Sequence, residues 1–325
     1  MTSQRRPQGG VLLADIGGTN ARFAVLDRGQ VDRIAHLAVK DHATFHAALD
    51  TYLGSLADAG ILHAAIVGVA GAVQNGRCVL TNSSWVIDAA ELPTTHGFAA
   101  AHLINDFEAV AWSLPRISAD KLLQIGGGQP AAGTPLVAVG PGTGLGVAVN
   151  IPHGAGHVVL PGEGGHSTMA GSSAREDAVI GHLRQRFGHV SAERVLSGSG
   201  LENLYEAIAA VDGRTVQLRR APEIARAGVA GSCATSRAAI EMFCAMLGTV
   251  AGNLALTLGA KGGIYIAGGI LRQMPDYLLG SQFRTRFEDK GRFHGYLAPI
   301  PTYLVLEDDV AFLGLRTLAE VEGLA

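Results

Sequence analysis

The sequence predicts an α/β protein built from layered sheets and helices. Strand-like apolar runs alternate with stretches of helical spacing along the 325 residues. Two strand-like runs lead into glycine-rich turns and then into a further strand-like run, and these two regions lie about half a chain apart. This repetition indicates a duplicated α/β unit.

The two glycine-rich turns are the first candidates for a functional site. Residues 11–16 lead into the turn 17–20, and residues 136–139 lead into the turn 140–144. Strand, glycine turn and strand predict a β-hairpin in each case. Both turns place a threonine beside glycines, so that backbone N–H groups and a hydroxyl can surround phosphate oxygens. The alternative is a tight turn whose glycines supply positive φ.

The residues around the first turn narrow the choice of nucleotide fold. A dinucleotide fingerprint requires a helix after its glycines, whereas here a strand follows, and no Walker sequence is present. Asp15 ends the first strand, beside the expected phosphates, where a carboxylate can hold magnesium through water. A turn-capping aspartate is the alternative for Asp15.

The remaining pattern places further strands at residues 64–69 and 263–267, and helices at 174–187 and 235–258. A domain boundary is predicted near Leu114 and Pro115, before the second hairpin. The stretch from about Asp309 again has helical apolar spacing, which is compatible with a return to the first domain.

Asn105 and Asp106 fall between a strand-like run, 101–104, and a helical run, 107–112. Either residue is a good N-cap for that helix, and on spacing alone the cap is favoured for Asp106. The functional interpretation is a carboxylate that accepts a proton from an attacking hydroxyl.

The loop 160–166 holds Glu163 and His166 among three glycines. The glycines make a helical metal pair improbable, and a bidentate acceptor beside a donor suits a polyhydroxylated ligand. Glu193 begins an apolar periodic segment, so it is also explained by the positive end of a helix. Gly268 and Gly269 end a buried strand, either as a turn or as a place of close approach to a flat ring.

Composition excludes several classes of protein. The 25 basic and 28 acidic residues nearly balance, without runs of like charge, so neither nucleic acid nor an anionic membrane is an expected partner. Three cysteines without paired spacing indicate a reducing, cytoplasmic setting. The first ten residues are polar and do not resemble a signal peptide.

Residues 242–260 are uncharged, but their polar residues and glycines favour a buried core helix over a membrane span.

With these residues assembled, the chain resembles the bacterial glucokinase family, within the superfamily of actin, hexokinase and heat-shock chaperone ATPases. The resemblance covers nearly the whole chain and depends on short strings in a fixed order. They are LADIGGTNAR at 13–22, LINDF at 103–107, GTGLGVA at 142–148, LPGEGGH at 160–166, GHVSAERVLSG at 188–198 and FEDKGRF at 287–293.

The resemblance implies a duplicated ribonuclease-H-like fold with two domains around a central cleft that holds ATP and sugar. The small domain would comprise residues 1–115 with about 307–325, and the large domain 116–306. The resemblance also implies an ATP-dependent glucokinase, magnesium as cofactor and a homodimer.

The resemblance further implies the site residues. The ATP ligands would be Asp15, Gly17, Gly18, Thr19, Asn20, Gly142, Thr143, Gly144, Gly268 and Gly269, with Asp15 also holding magnesium through water. The glucose ligands would be Asn105, Asp106, Glu163, His166 and Glu193, with Asp106 as the catalytic base.

The sequence departs from the family just after His166, where residues 167–171 read STMAG in place of VDFAP in close relatives. A changed affinity for sugar is expected there. The chain also lacks the cysteine-rich zinc motif of the repressor and open-reading-frame kinase group, and no helix-turn-helix precedes the first strand.

Two alternatives stay open: a kinase for another hexose or an amino sugar, and a non-catalytic sugar sensor on the same fold. Asp106 and the two threonine turns count against the sensor, and a panel of sugars separates the kinases.

Overall fold

The computed structural model describes residues 9–56, 61–80 and 83–325. The first eight residues, on which most of the signal-peptide expectation depends, lie outside the described residues. The described residues form two compact units. The first unit runs to Ile117 and includes Glu307–Ala325, and the second is Ser118–Leu306.

The first unit is built on a sheet with strand order β3-β2-β1-β4-β7. The elements before its C-terminal segment are β1 Gly10–Ile16, β2 Asn20–Asp27, β3 Gln30–Ala38, α1 Phe45–Ser55, β4 Leu62–Val69, β5 Arg77–Val79, β6 Val86–Asp88, α2 Glu91–His96, β7 Ala100–Asn105 and α3 Asp106–Ser113. Strands β1, β2 and β3 pair antiparallel, whereas β1, β4 and β7 pair parallel.

The second unit is built on a sheet with strand order β11-β10-β9-β12-β13-β8. Its elements are β8 Leu122–Gly126, β9 Leu136–Pro141, β10 Leu145–His153, β11 Gly156–Gly162, α4 Ala174–Phe187, α5 Gly198–Val211, α6 Ala221–Val229, α7 Ala234–Leu258, β12 Gly263–Ile266, α8 Gly269–Arg272, α9 Pro275–Leu279, α10 Phe283–Glu288, α11 His294–Leu297 and β13 Thr302–Val305. The C-terminal helix, α12 Val310–Val321, belongs to the first unit and packs on α3, β1 and β4.

The two sheets share one arrangement. In each, a hairpin is followed by a third antiparallel strand, and the first strand of the hairpin is flanked on its other side by two parallel strands. Strand β8 adds to the second sheet, antiparallel to β13. Both predicted hairpins are therefore confirmed, as β1 with β2 and β9 with β10.

The core of the second unit surrounds α7. Among the described residues, α7 is the one helix long and apolar enough to cross a membrane, and 78% of its most apolar stretch is buried inside the protein. This burial agrees with the interpretation of residues 242–260 as part of a core helix. Helices α5, α6 and α10 pack around it, and Gly248 and Gly252 allow α10 to approach closely.

Candidate active site

In the first unit, the predicted site residues lie at the ends of parallel strands, along one edge of the sheet. Ile16, Val69 and Asn105 occupy the same rung of β1, β4 and β7. Because these strands are parallel, the turn after β1 and Asp106 after β7 emerge at the same carboxyl edge. Two strand spacings separate them, or roughly 10 Å.

The turn after β1 is held by backbone hydrogen bonds. The Gly17 N–H donates to the Asn20 carbonyl over 2.9 Å, and the Val39 N–H donates to the Thr19 carbonyl over 2.9 Å. Thr19 and Asn20 are exposed. Gly17 does not have positive φ, so the need for a left-handed backbone does not explain that glycine.

Asp15 lies just before this turn and is partly buried. Burial raises the pKa of its carboxyl, the Arg22 guanidinium lowers it, and the charge of Asp309 raises it. The Arg22 Nη1 atom lies 3.5 Å from Asp15 Oδ2. A cation that neutralises this carboxylate would remove the cost of its burial.

No group of three metal-ligating side chains occurs in the part of the chain that the structure describes. Magnesium nevertheless fits the Asp15 region, because it is usually held by one or two carboxylates with substrate phosphates and water, and not by an all-protein cage.

The strand-to-helix junction resolves which residue caps α3. Asn105 is the N-cap, and its Oδ1 atom accepts from the N–H of Phe107 over 2.9 Å and of Glu108 over 3.4 Å. Its Nδ2 atom donates to the Gly71 carbonyl over 3.0 Å. Asp106 is the first helical residue, so the interpretation of Asp106 as the N-cap is wrong, and its Oδ1 atom accepts from the Phe107 N–H over 2.9 Å.

In the second unit, the turn after β9 exposes Thr143 as the first turn exposes Thr19. The Gly142 N–H donates to the Gly144 carbonyl over 2.8 Å, and the Gly142 carbonyl accepts from the Gly198 N–H over 2.9 Å. A Cβ added at Gly142 would meet no atom within 4 Å, so the backbone there is open to an approaching group.

Glu193 joins this turn to the Glu163 loop. Its Oε2 atom accepts from the Leu145 N–H over 2.9 Å. Its own N–H donates to the Gly165 carbonyl over 2.8 Å. The helix-dipole explanation for Glu193 is wrong, since the next helix, α5, begins only at Gly198, with Ser197 as its cap.

Glu163 and His166 lie on an exposed loop. Glu163 Oε2 and His166 Nε2 are 3.7 Å apart, and both side chains are more than half exposed. A single 3-10 turn, Gly164–His166, replaces the expected irregular loop. Glu163 can offer an acceptor and His166 a donor to a bound molecule. Two such side chains on a short turn do not make a metal site.

The segment after His166 fastens this loop. Ser167 Oγ donates to the Gly164 carbonyl over 2.7 Å, and the Ser167 carbonyl accepts from the Ala192 N–H over 2.8 Å. Thr168 forms an antiparallel bridge with Ser191. The segment where the sequence departs from the family therefore fixes the Glu163 loop against the residues next to Glu193.

Gly268 and Gly269 follow β12, which lies beside β9. Gly268 has φ of 121°, and a Cβ there would lie 2.6 Å from the Pro141 carbonyl oxygen. Close approach to the second turn therefore requires Gly268. At Gly269 an added Cβ would meet nothing within 4 Å, so its surroundings are open.

Sequence reasoning missed two contributors to these arrangements. Leu145 acts through its backbone N–H, which no residue type signals. Gly71 acts through its carbonyl, which holds the Asn105 amide.

Comparisons with known proteins agree with one another. The family model described as glucokinase matches residues 12–322. A glucokinase of Paramagnetospirillum magneticum is 46% identical over 310 residues, which is 95% of this chain and 97% of that protein.

Solved structures extend the likeness. The structure of a glucokinase from an Antarctic psychrotroph has a TM-score of 0.85 and 33% identity, over 97% of this chain and 100% of that chain. The structure of a glucokinase from Balamuthia mandrillaris in complex with glucose has a TM-score of 0.77 and 21% identity, over 95% of this chain and 93% of that chain, and shows a shared fold. The chain therefore belongs to the glucokinase family and is a sugar kinase, a transferase.

Proposed function

We propose that this protein transfers the γ-phosphoryl group of ATP to the 6-hydroxyl of D-glucose, giving glucose 6-phosphate and ADP. Membership of the glucokinase family supports the reaction, and the edge of the first sheet supports the mechanism. There, parallel strands bring a phosphate-type turn and an aspartate at a helix start to one edge. This convergence is the observation on which the mechanism depends.

Asp106 is the proposed catalytic base. Its carboxylate accepts the proton of the 6-hydroxyl while the oxygen attacks the γ-phosphorus, and the bond from that phosphorus to the bridging oxygen of ADP breaks. The Asn105 amide is fixed by its cap and by Gly71, so its second N–H can orient a sugar hydroxyl.

Glu163, His166 and Glu193 are the proposed ligands of the sugar ring. The hydrogen bonds between Glu193, Leu145 and Gly165 hold them in a fixed relation to the second turn. Preorganised acceptors of this kind reduce the cost of ordering the site when the sugar binds.

The ATP ligands are proposed in two groups. Asp15, Gly17, Gly18, Thr19 and Asn20 form the first, and Gly142, Thr143, Gly144, Gly268 and Gly269 form the second. Asp15 would hold magnesium through water, and the ion would neutralise charge on the phosphates. Exposed threonines in both turns and the open backbone at Gly142 and Gly269 support this assignment.

Several finer points are part of the same proposal. The shared strand arrangement supports two copies of a ribonuclease-H-like unit, with the two compact units as the domains. A cytoplasmic homodimer acting in glycolysis is proposed from the family resemblance alone.

A coupled assay tests the function. ADP release is followed with ATP, magnesium and a panel containing D-glucose, D-mannose, D-fructose and N-acetylmannosamine, and glucose 6-phosphate is detected by a specific dehydrogenase. We expect the highest kcat/KM with glucose. Preference for another sugar would indicate a different hexose kinase, and glucose binding without ADP release would indicate a sensor.

A further inference from the structure

The loop that follows β4 touches the residue that caps α3. Gly71 donates its N–H to the Val69 carbonyl over 2.9 Å and accepts the Asn105 Nδ2 hydrogen bond over 3.0 Å. The orientation of the Asn105 amide therefore depends on where the Gly71 carbonyl lies. Asp106 follows Asn105 directly and begins the helix that Asn105 caps.

The sulfur of Cys78 lies directly against this loop. Cys78 lies in β5, is 1% exposed and belongs to the apolar core of the first unit. A Cβ added at Gly71 would lie 2.8 Å from Cys78 Sγ, closer than unbonded atoms approach, while the next atom, the Val79 carbonyl oxygen, is 3.9 Å away. One sulfur atom thus occupies the space that a side chain at position 71 would need.

The charge of the proposed base, Asp106, also acts on this thiol. Burial raises the pKa of the Cys78 thiol, and the negative charge of Asp106 raises it further. The thiol therefore stays neutral. A neutral, compact group fills this space without adding a second negative charge that would act on the base.

We infer that Gly71 and Cys78 are a matched pair of positioning residues, which set the place of the Gly71 carbonyl and through it the Asn105 amide and the first turn of α3. This inference deepens the proposed function and rests on the role given there to Asn105 and Asp106. Its consequence is selective: a disturbed pair harms the use of sugar more than the binding of ATP.

The first test is Gly71→Ala. Its methyl group meets the Cys78 sulfur, so the loop must shift and carry the Asn105 amide with it. We expect kcat/KM for glucose to fall about 10- to 100-fold, the scale of a misplacement near 1 Å, while KM for ATP changes less. Gly54→Ala is the matched control, because a Cβ at Gly54 in α1 would meet nothing within 4 Å.

The second test is rescue. Cys78→Ala alone leaves a void beside Gly71 and lowers kcat/KM for glucose several-fold by our expectation. In the double variant Gly71→Ala with Cys78→Ala, the new methyl group enters the space left by the sulfur, and kcat/KM should exceed that of either single variant. If Gly71→Ala does not fold, the comparison of Cys78→Ala with the double variant decides the question.

The outcomes separate this inference from the proposed function. Normal kinetics of Gly71→Ala, or a double variant no better than Cys78→Ala, would overturn the positioning role and leave the kinase intact. A fully active Asp106→Asn would instead overturn the proposed base, whatever the pair does.

Discussion

The Oε2 atom of Glu193 accepts a hydrogen bond of 2.9 Å from the backbone N–H of Leu145. Leu145 begins β10, directly after the turn that ends in Gly144. A Cβ added at Gly144 would lie 2.5 Å from the same Oε2 atom. The proposed sugar ligand and the proposed phosphate turn are thus in contact through one carboxylate.

Gly144→Ala should therefore affect the position of the Glu193 side chain as well as the turn itself. The added methyl group displaces the Glu193 carboxylate, so KM for glucose should rise about tenfold or more, the scale of one hydrogen bond to a charged group. KM values for glucose and ATP, measured on the same preparation, test this. A change confined to ATP would mean that the turn acts independently of Glu193.

Glu163→Gln and Glu193→Gln provide a matched comparison. Each keeps the size of the side chain and removes the charge that holds sugar hydroxyls, so each should raise KM for glucose about 10- to 100-fold. The thermal midpoint should fall more in Glu193→Gln, because the neutral amide oxygen accepts from the Leu145 N–H more weakly than the carboxylate does, whereas the Glu163 side chain is 62% exposed. Equal midpoints would contradict a contribution of the Glu193 charge to stability.

Asp106→Asn separates chemistry from helix capping. Because Asn105 is the cap, the variant should stay folded, with a loss of at most about 1 kcal/mol from the weaker interaction with the helix dipole. If Asp106 is the base, kcat should fall about 10²- to 10⁴-fold while glucose still binds. Turnover, thermal midpoint and glucose binding decide this, and near-normal turnover would contradict the assigned base.

The control for that experiment is Asn105→Ala. Loss of the cap and of the hydrogen bond to the Gly71 carbonyl should lower the free energy of unfolding by about 2 kcal/mol or more, which exceeds the loss expected for Asp106→Asn. Urea unfolding of both variants measures the difference.

Asp15→Asn should raise the stability of the protein and weaken its binding of magnesium ATP. Burial raises the pKa of Asp15 above its ordinary 3.8, so folding disfavours the charged form of this carboxyl. The variant should be more stable than the wild type at pH 8 and should bind magnesium ATP more weakly. Asp27→Asn, at an exposed carboxylate that ends β2, is the control for loss of charge alone.

The sign of the pH effect follows from the direction of that shift. With a raised folded-state pKa, the folded state binds the proton more readily than the unfolded state, so this group favours folding more as the pH falls towards 4. The stability advantage of Asp15→Asn should therefore shrink as the pH falls through the folded-state pKa of Asp15 towards its ordinary 3.8. An advantage independent of pH would show that charge burial is not its cause.

Local sequence patterns predict several elements and identify the family. Alternating apolar residues on either side of residues 17–20 and 140–144 predict hairpins, because that local pattern depends only on neighbours in the chain. The helix at 174–187 is confirmed as α4, since Ser173 caps it and Gly188 ends it. The ordered short strings identified the glucokinase family, which the family match confirms.

The contacts that the candidate site residues make become visible only in the folded protein. Whether Asn105 or Asp106 caps α3 depends on where the backbone changes from extended to helical after β7, and both residue types suit the cap. The sequence places Glu193 at a helix start, whereas in the structure its carboxylate accepts a hydrogen bond from the Leu145 N–H, 48 positions away. Gly71 and Cys78 carry no motif at all, because the closeness of a carbonyl, a sulfur and an amide arises only when β4, β5 and β7 have packed.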